Sequence, residues 1–136
     1  MHPGTEANEL PTITGKVIHG DKVGRTMGFP TANLDVQLDP VTLRPGVYTA
    51  TVTLRPDEAP YQALAYFGPR YVLGERQNSF EVYVMNFSND LYGQEITVKL
   101  LAHRREPLPF TSLEALQVQL EQDKADGEAY FRHNTL

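Results

Sequence analysis

Pro45-Gly46-Val47-Tyr48-Thr49-Ala50-Thr51-Val52-Thr53-Leu54 is the stretch on which the fold turns. Pro-Gly marks a turn. After it the residues alternate, with Tyr48, Ala50, Val52 and Leu54 on one side and Thr49, Thr51 and Thr53 on the other. A period of two with one apolar side predicts a half-buried β-strand.

Outward from this strand the chain repeats the theme. Arg55 to Pro60 (RPDEAP) predicts a hairpin connection, and Tyr61–Phe67 and Phe80–Phe87 predict two further strands rich in aromatic and branched residues. A longer loop, Gly68 to Ser79, joins them. Asn89-Asp90 and Gly93 predict another turn. Glu95–His103 follows, where Ile96, Val98 and Leu100 alternate with Thr97 and Lys99. In the other direction, Ile13, Val17 and Ile18 suggest a first strand ending at Gly20, and Gly20 to Asn33 reads as a loop with little regular structure. Residues 1–11 lack periodicity and are expected to be a flexible tail, leaving 12–136 as one folded domain.

The texture changes after Arg105. Pro107 and Pro109 interrupt any strand, and Thr111-Ser112-Leu113-Glu114 fits a capping box with Thr111 as the cap. Leu113, Leu116 and Leu120 then share a helical face that continues towards Gly127 and Phe131. One amphipathic helix must bury its stripe against the strands. The expectation is an all-β fold with one C-terminal helix, an antiparallel barrel or tight sandwich.

Composition narrows the function classes. The chain has 136 residues, 40 % apolar, no cysteine and a formal net charge of −5. Without cysteine there is neither a disulfide framework nor a thiolate metal site. The net charge argues against binding held by phosphate neutralisation along nucleic acid, and no basic-aromatic stripe is present. No run approaches the ~18–20 apolar residues that span a bilayer, and Met1 to Pro11 does not resemble a signal peptide. A cytoplasmic monomer with neither a nucleic-acid nor a membrane partner is expected.

The chemistry concentrates in Gly20-Asp21-Lys22-Val23-Gly24-Arg25-Thr26-Met27-Gly28-Phe29-Pro30-Thr31-Ala32-Asn33. Three glycines allow sharp turns that converge amide N–H groups on an anion. Thr31 offers a hydroxyl and Asn33 a carbonyl oxygen, both hard ligands suited to Mg²⁺. It is not a Walker A loop: Gly15 and Gly20 are correctly spaced, but Asp21-Lys22 follows where Lys-Ser/Thr is required. Nor is it a dinucleotide fingerprint, because no helix follows. Glu81 also stands out as the only carboxylate within Phe80–Phe87, among Phe80, Val82, Tyr83, Val84 and Met85. It is either a solvent-facing glutamate on an edge strand or a placed acid–base group.

The string Gly24 to Asn33, GRTMGFPTAN, resembles the GR-x-LGFPTAN signature of the riboflavin kinase family. The resemblance continues in order through Gly46-Val47-Tyr48, Phe80-Glu81-Val82, Asn86 to Gly93 (NFSNDLYG), and Arg105 to Leu116. It implies a six-stranded antiparallel Greek-key barrel with the helix alongside. It also implies Mg²⁺-dependent transfer of the ATP γ-phosphate to the riboflavin 5′-hydroxyl, giving FMN and ADP. Within it, Gly20, Gly24, Arg25, Gly28, Phe29, Pro30, Thr31 and Asn33 would hold the nucleotide. Thr31 and Asn33 would serve Mg²⁺, Glu81 would be the general base, and Arg105, Tyr83 and Phe110 would meet the flavin.

Two strings depart from the family pattern, Gly68-Pro69-Arg70-Tyr71-Val72 and Asn86 in place of the usual Asp. Nothing resembles the adenylyltransferase domain that many bacterial members carry, so FMN formation alone is expected. Asp123 matches a family helix position but reads as a solvated carboxylate. His19 and His103 read as structural, and Tyr92 as a core or turn residue. The competing readings are a non-catalytic flavin or nucleotide module on the same barrel, and a nucleic-acid-binding barrel. The intact Glu81, Thr31 and Asn33 speak against the first, and the charge against the second.

Overall fold

The alternation of apolar side chains closes on itself. In the computed structural model, which describes residues 10–18, 31–69, 78–87, 89–110 and 112–134, six strands form: β1 (Thr12–Ile18), β2 (Ala32–Asp35), β3 (Gly46–Thr53), β4 (Tyr61–Pro69), β5 (Asn78–Val84) and β6 (Glu95–Arg105). They close into a barrel in the order β1-β2-β5-β4-β3-β6, every neighbouring pair antiparallel. A single helix, α1 (Leu113–Asn134), follows. This is the six-stranded barrel with a C-terminal helix that the sequence predicts. Small Ala50, Ala63 and Ala65 share the interior with large Tyr48, Phe67 and Phe80, which is how a narrow barrel is filled by side chains alone.

Closure depends on a strand, β2, whose first two residues fall at the end of the predicted Gly20–Asn33 loop. β2 is only four residues long and contributes one core side chain, Leu34. Ala32 and Leu34 alternate with Asn33 and Asp35, but four residues leading out of a glycine-rich stretch are too few to stand out as a strand. Its pairing supplies the signal instead: Val17 lies opposite Leu34 on one side, and Ala32 opposite Val82 on the other.

Other boundaries also move. β5 begins at Asn78 and ends at Val84, short of Phe87, because Asn86 turns the chain with φ 57°. Asparagine tolerates this left-handed conformation better than most residues, which gives Asn86 a structural reason to stand there. Of the expected tail, residues 1–11, the first nine lie outside the described residues, but Leu10 packs against the core and the Pro11 carbonyl accepts the Leu100 N–H at 3.4 Å, so these two belong to the barrel. The RPDEAP turn forms as expected, with the Glu58 N–H donating to the Arg55 carbonyl.

The helix lies on the outside of the barrel. Its cap is Ser112, whose Oγ accepts the Ala115 N–H at 3.1 Å, one residue later than the expected cap, Thr111, which lies outside the described residues. Leu113 is accordingly exposed, and the buried positions are Asp123, Gly127 and Phe131. Gly127 allows close approach: a Cβ there would lie 2.8 Å from Leu64 Cδ2 and 3.0 Å from Met85 Cε. Phe131 packs with the same two residues. Both faces of β3 are covered in its first half, so Thr49 is fully buried on the side expected to be open.

Candidate active site

Residues at odd and even positions of a strand point to opposite faces. Phe80 and Val82 fill the core, so Glu81 points out of the barrel. Ala65 and Phe67 put Tyr66 outside by the same rule, and Leu34 does so for Asn33. The register joins these residues into one row: Asn33 lies opposite Glu81, Glu81 opposite Tyr66, Tyr66 opposite Val47, and Val47 opposite Arg105. Arg105 takes its place in the row through two register shifts between β3 and β6. Three strand steps around the closed barrel separate Glu81 on β5 from Arg105 on β6.

Glu81 is the centre of the polar end of this row. Its Oε1 accepts the Thr31 hydroxyl at 2.9 Å, and its Oε2 accepts the Ser79 hydroxyl at 3.2 Å. The carboxylate is partly exposed, so a ligand can reach it. The expected base and the expected Thr/Asn pair therefore share one place on the outer surface. Asn33, directly across the ladder from Glu81, and Thr31 together present a hydroxyl and an amide oxygen. Those are ligands for a hard cation that keeps most of its shell from phosphate and water, as Mg²⁺ does. Among the described residues, no group of three or more His, Asp or Glu could hold a metal by itself. Gly20, Gly24, Arg25, Gly28, Phe29 and Pro30 lie outside the described residues.

The other end of the row is tied to the helix. Arg105 donates through Nε to Asp123 Oδ1 at 2.8 Å and through Nη2 to Oδ2 at 2.7 Å, while Nη1 donates to the Glu106 carbonyl at 3.0 Å. Gln119 adds a bond to Asp123 Oδ1 at 2.9 Å. Asp123 is 6 % exposed, so the reading of it as a solvated carboxylate is wrong. The carboxylate is buried because a bidentate guanidinium compensates its desolvation, and sequence gives no sign of that partner 18 residues away. Tyr83 faces the same way as Glu81 but packs with the Leu64, Met85 and Phe131 cluster beneath the helix. Phe110 is half-buried in the segment between β6 and α1. The start of that segment lies over the end of β4, since a Cβ on Gly68 would meet the Tyr66 hydroxyl at 2.9 Å and Pro107 Cγ at 3.2 Å. His103 is structural, its ring edge-on to Tyr48 and its Nε2 3.0 Å from the Pro45 carbonyl. Sequence reasoning passes over Ser79, although its position two residues before Glu81 on one strand face carries the signal.

The family model described as Flavokinase: Riboflavin kinase matches residues 8–131. A bifunctional riboflavin kinase/FMN adenylyltransferase of Listeria monocytogenes is 40 % identical over 131 residues, covering 93 % of this chain and 41 % of the relative. One from Haemophilus influenzae is 37 % identical over 121 residues, covering 88 % and 38 %. The chain thus spans about two fifths of the length of these relatives. The crystal structure of riboflavin kinase from Trypanosoma brucei superposes with a TM-score of 0.62 at 26 % identity, covering 92 % of this chain and 82 % of that one. No helix among the described residues is long and apolar enough to cross a membrane. With the barrel, the motif order and nearly the whole length in agreement, the chain belongs to the riboflavin kinase family.

Proposed function

We propose that this chain transfers the γ-phosphate of ATP to the 5′-hydroxyl of riboflavin, with Glu81 as the general base. The observation that carries the reading is the 2.9 Å bond from Thr31 Oγ1 to Glu81 Oε1, which unites the phosphate-side residues and the carboxylate. A primary hydroxyl attacks phosphorus poorly unless its proton has an acceptor in the transition state. In the proposed step the riboflavin O–H bond breaks and its proton passes to Glu81. The ribityl oxygen bonds to the γ-phosphorus as the bond from phosphorus to the β–γ bridging oxygen breaks, and ADP leaves. Thr31 and Asn33 would hold Mg²⁺, which when bound neutralises charge on the phosphates. The glycine-bearing segment Gly20–Pro30 would supply amide donors to the nucleotide. Phe110 and Tyr83 would border the flavin, and Arg105 would act there indirectly, by fixing α1 through Asp123. The same reading has the chain act as a monomer in the cytoplasm, with no nucleic-acid partner.

The test is incubation with riboflavin, ATP and Mg²⁺, followed by chromatography for FMN and ADP. Glu81→Gln should lower kcat by about 10²–10⁴-fold, the range of general-base catalysis, while ATP binding persists. Riboflavin bound without FMN formed would instead indicate a binding module, and near-normal turnover in Glu81→Gln would remove the base assignment.

A further inference from the structure

We propose that Ser79 is a positioning residue for Glu81, fixing the carboxylate through its Oε2; this rests on the reading of Glu81 as the general base. Ser79 and Glu81 are two residues apart on β5, so their side chains leave the same face. Ser79 Oγ lies 3.2 Å from Glu81 Oε2 and 3.4 Å from the Gly68 carbonyl oxygen. Gly68 is its partner across the β4–β5 ladder. A serine hydroxyl has one hydrogen to donate and two lone pairs to accept with, and here it meets two acceptors.

The competition has a definite order. While Glu81 is ionised, the charged oxygen is the stronger acceptor, and the Ser79 hydrogen goes to Oε2. Together with the Thr31 hydroxyl on Oε1, it holds both oxygens of the carboxylate in place.

The competing account is that Ser79 merely fastens the ends of β4 and β5 through the Gly68 carbonyl. Three substitutions separate the two: Ser79→Ala, and the equal-shaped pair Ser79→Thr and Ser79→Val, of which only threonine keeps the hydroxyl. Each is measured for kcat, for KM with riboflavin and ATP, and for thermal stability, in the natural chain and in the Glu81→Gln background. Removing one hydrogen bond to a charged group should lower kcat by roughly tenfold or more in Ser79→Ala and Ser79→Val. KM for ATP should stay within about twofold, and Ser79→Thr should recover most of the activity. In the Glu81→Gln background the Ser79→Ala loss should shrink to less than about twofold, because a positioning residue has nothing left to position. Equal kcat values for the Thr and Val variants, or a Ser79→Ala loss undiminished by Glu81→Gln, overturn the proposal. If Glu81→Gln alone leaves turnover intact, the base reading fails first and Ser79 falls with it. A collapse in Glu81→Gln with an unaffected Ser79→Ala refutes Ser79 alone.

Discussion

Removing the carboxylate of Asp123 should cost the barrel more stability than removing any exposed charge. Asp123 receives two bonds from Arg105 and one from Gln119. In Asp123→Ala, Gln119 can turn to solvent, but the guanidinium is left facing a hole in the helix interface with its side chain only 19 % exposed. Breaking a fully buried pair from one side costs ~3–5 kcal/mol. The residual exposure of Arg105, and its surviving bond to the Glu106 carbonyl, reduce this to about 2–3 kcal/mol. For a domain of this size, that corresponds to a fall in melting temperature on the order of 10 °C.

The assay is urea and thermal unfolding of Asp123→Ala and of a double-mutant cycle built from Arg105→Met, Asp123→Leu and their combination. Arg105→Met alone strands the carboxylate and should lose a similar amount. The double variant Arg105→Met/Asp123→Leu should recover most of it, since an apolar pair of similar volume needs no compensation for desolvation. The expected coupling between the sites is therefore about 2 kcal/mol or more. An Asp123→Ala loss under about 1 kcal/mol, or single losses that simply add in the double variant, would refute the account. It would mean that the apolar contacts around Gly127, Tyr130 and Phe131 suffice to hold the helix.

Two further outcomes follow from the same region of the barrel. Burial raises the Tyr48 phenol above its ordinary pKa of 10.0, with Arg44 opposing the shift and Glu106 adding to it. The folded state therefore holds this proton more tightly than the unfolded chain. Its contribution to stability is complete below about pH 10 and is lost as pH rises through the folded value. Unfolding monitored across that window, with phenolate absorbance as the second readout, should show a decline that Tyr48→Phe flattens. An unchanged slope in Tyr48→Phe would assign the decline to other groups. Gly46→Ala should destabilise by more than about 3 kcal/mol, because the new Cβ would lie 2.2 Å from the Arg105 carbonyl oxygen at φ 148°. Circular dichroism melts that match the natural protein would show that β3 and β6 can part without penalty.

What the sequence displays depends on whether a residue's role is local. β1, β3, β4, β5 and β6 are legible because each carries its own apolar pattern. β2 is not, because its short pattern, Ala32 and Leu34 alone, is completed by pairing with Val17 and Val82 on either side. The helix is legible from its spacing, but its cap shifts to Ser112 and its buried stripe runs through a carboxylate. An acidic residue at a buried helical position looks solvated until its guanidinium partner is seen.

The site follows the same division, and this explains where it lies. Thr31, Asn33 and Glu81 are legible as residue types in a resembling string, yet their meeting is a property of register. They are 50 residues apart in sequence at the Thr31–Glu81 bond, and they adjoin only because β2, the least visible strand, inserts beside β5. The barrel interior is filled by apolar side chains. Polar chemistry must then sit on the outer face, where odd-numbered positions of β2 and β5 emerge side by side. Among the described residues, the one helix on that outside, α1, packs on β3 and β4. Thr31, Asn33, Ser79 and Glu81 gather on the neighbouring sector instead. A shift of β2 by one residue would send Asn33 into the core and Leu34 out to solvent, so the same hydrophobic contact that closes the barrel also holds the site in register.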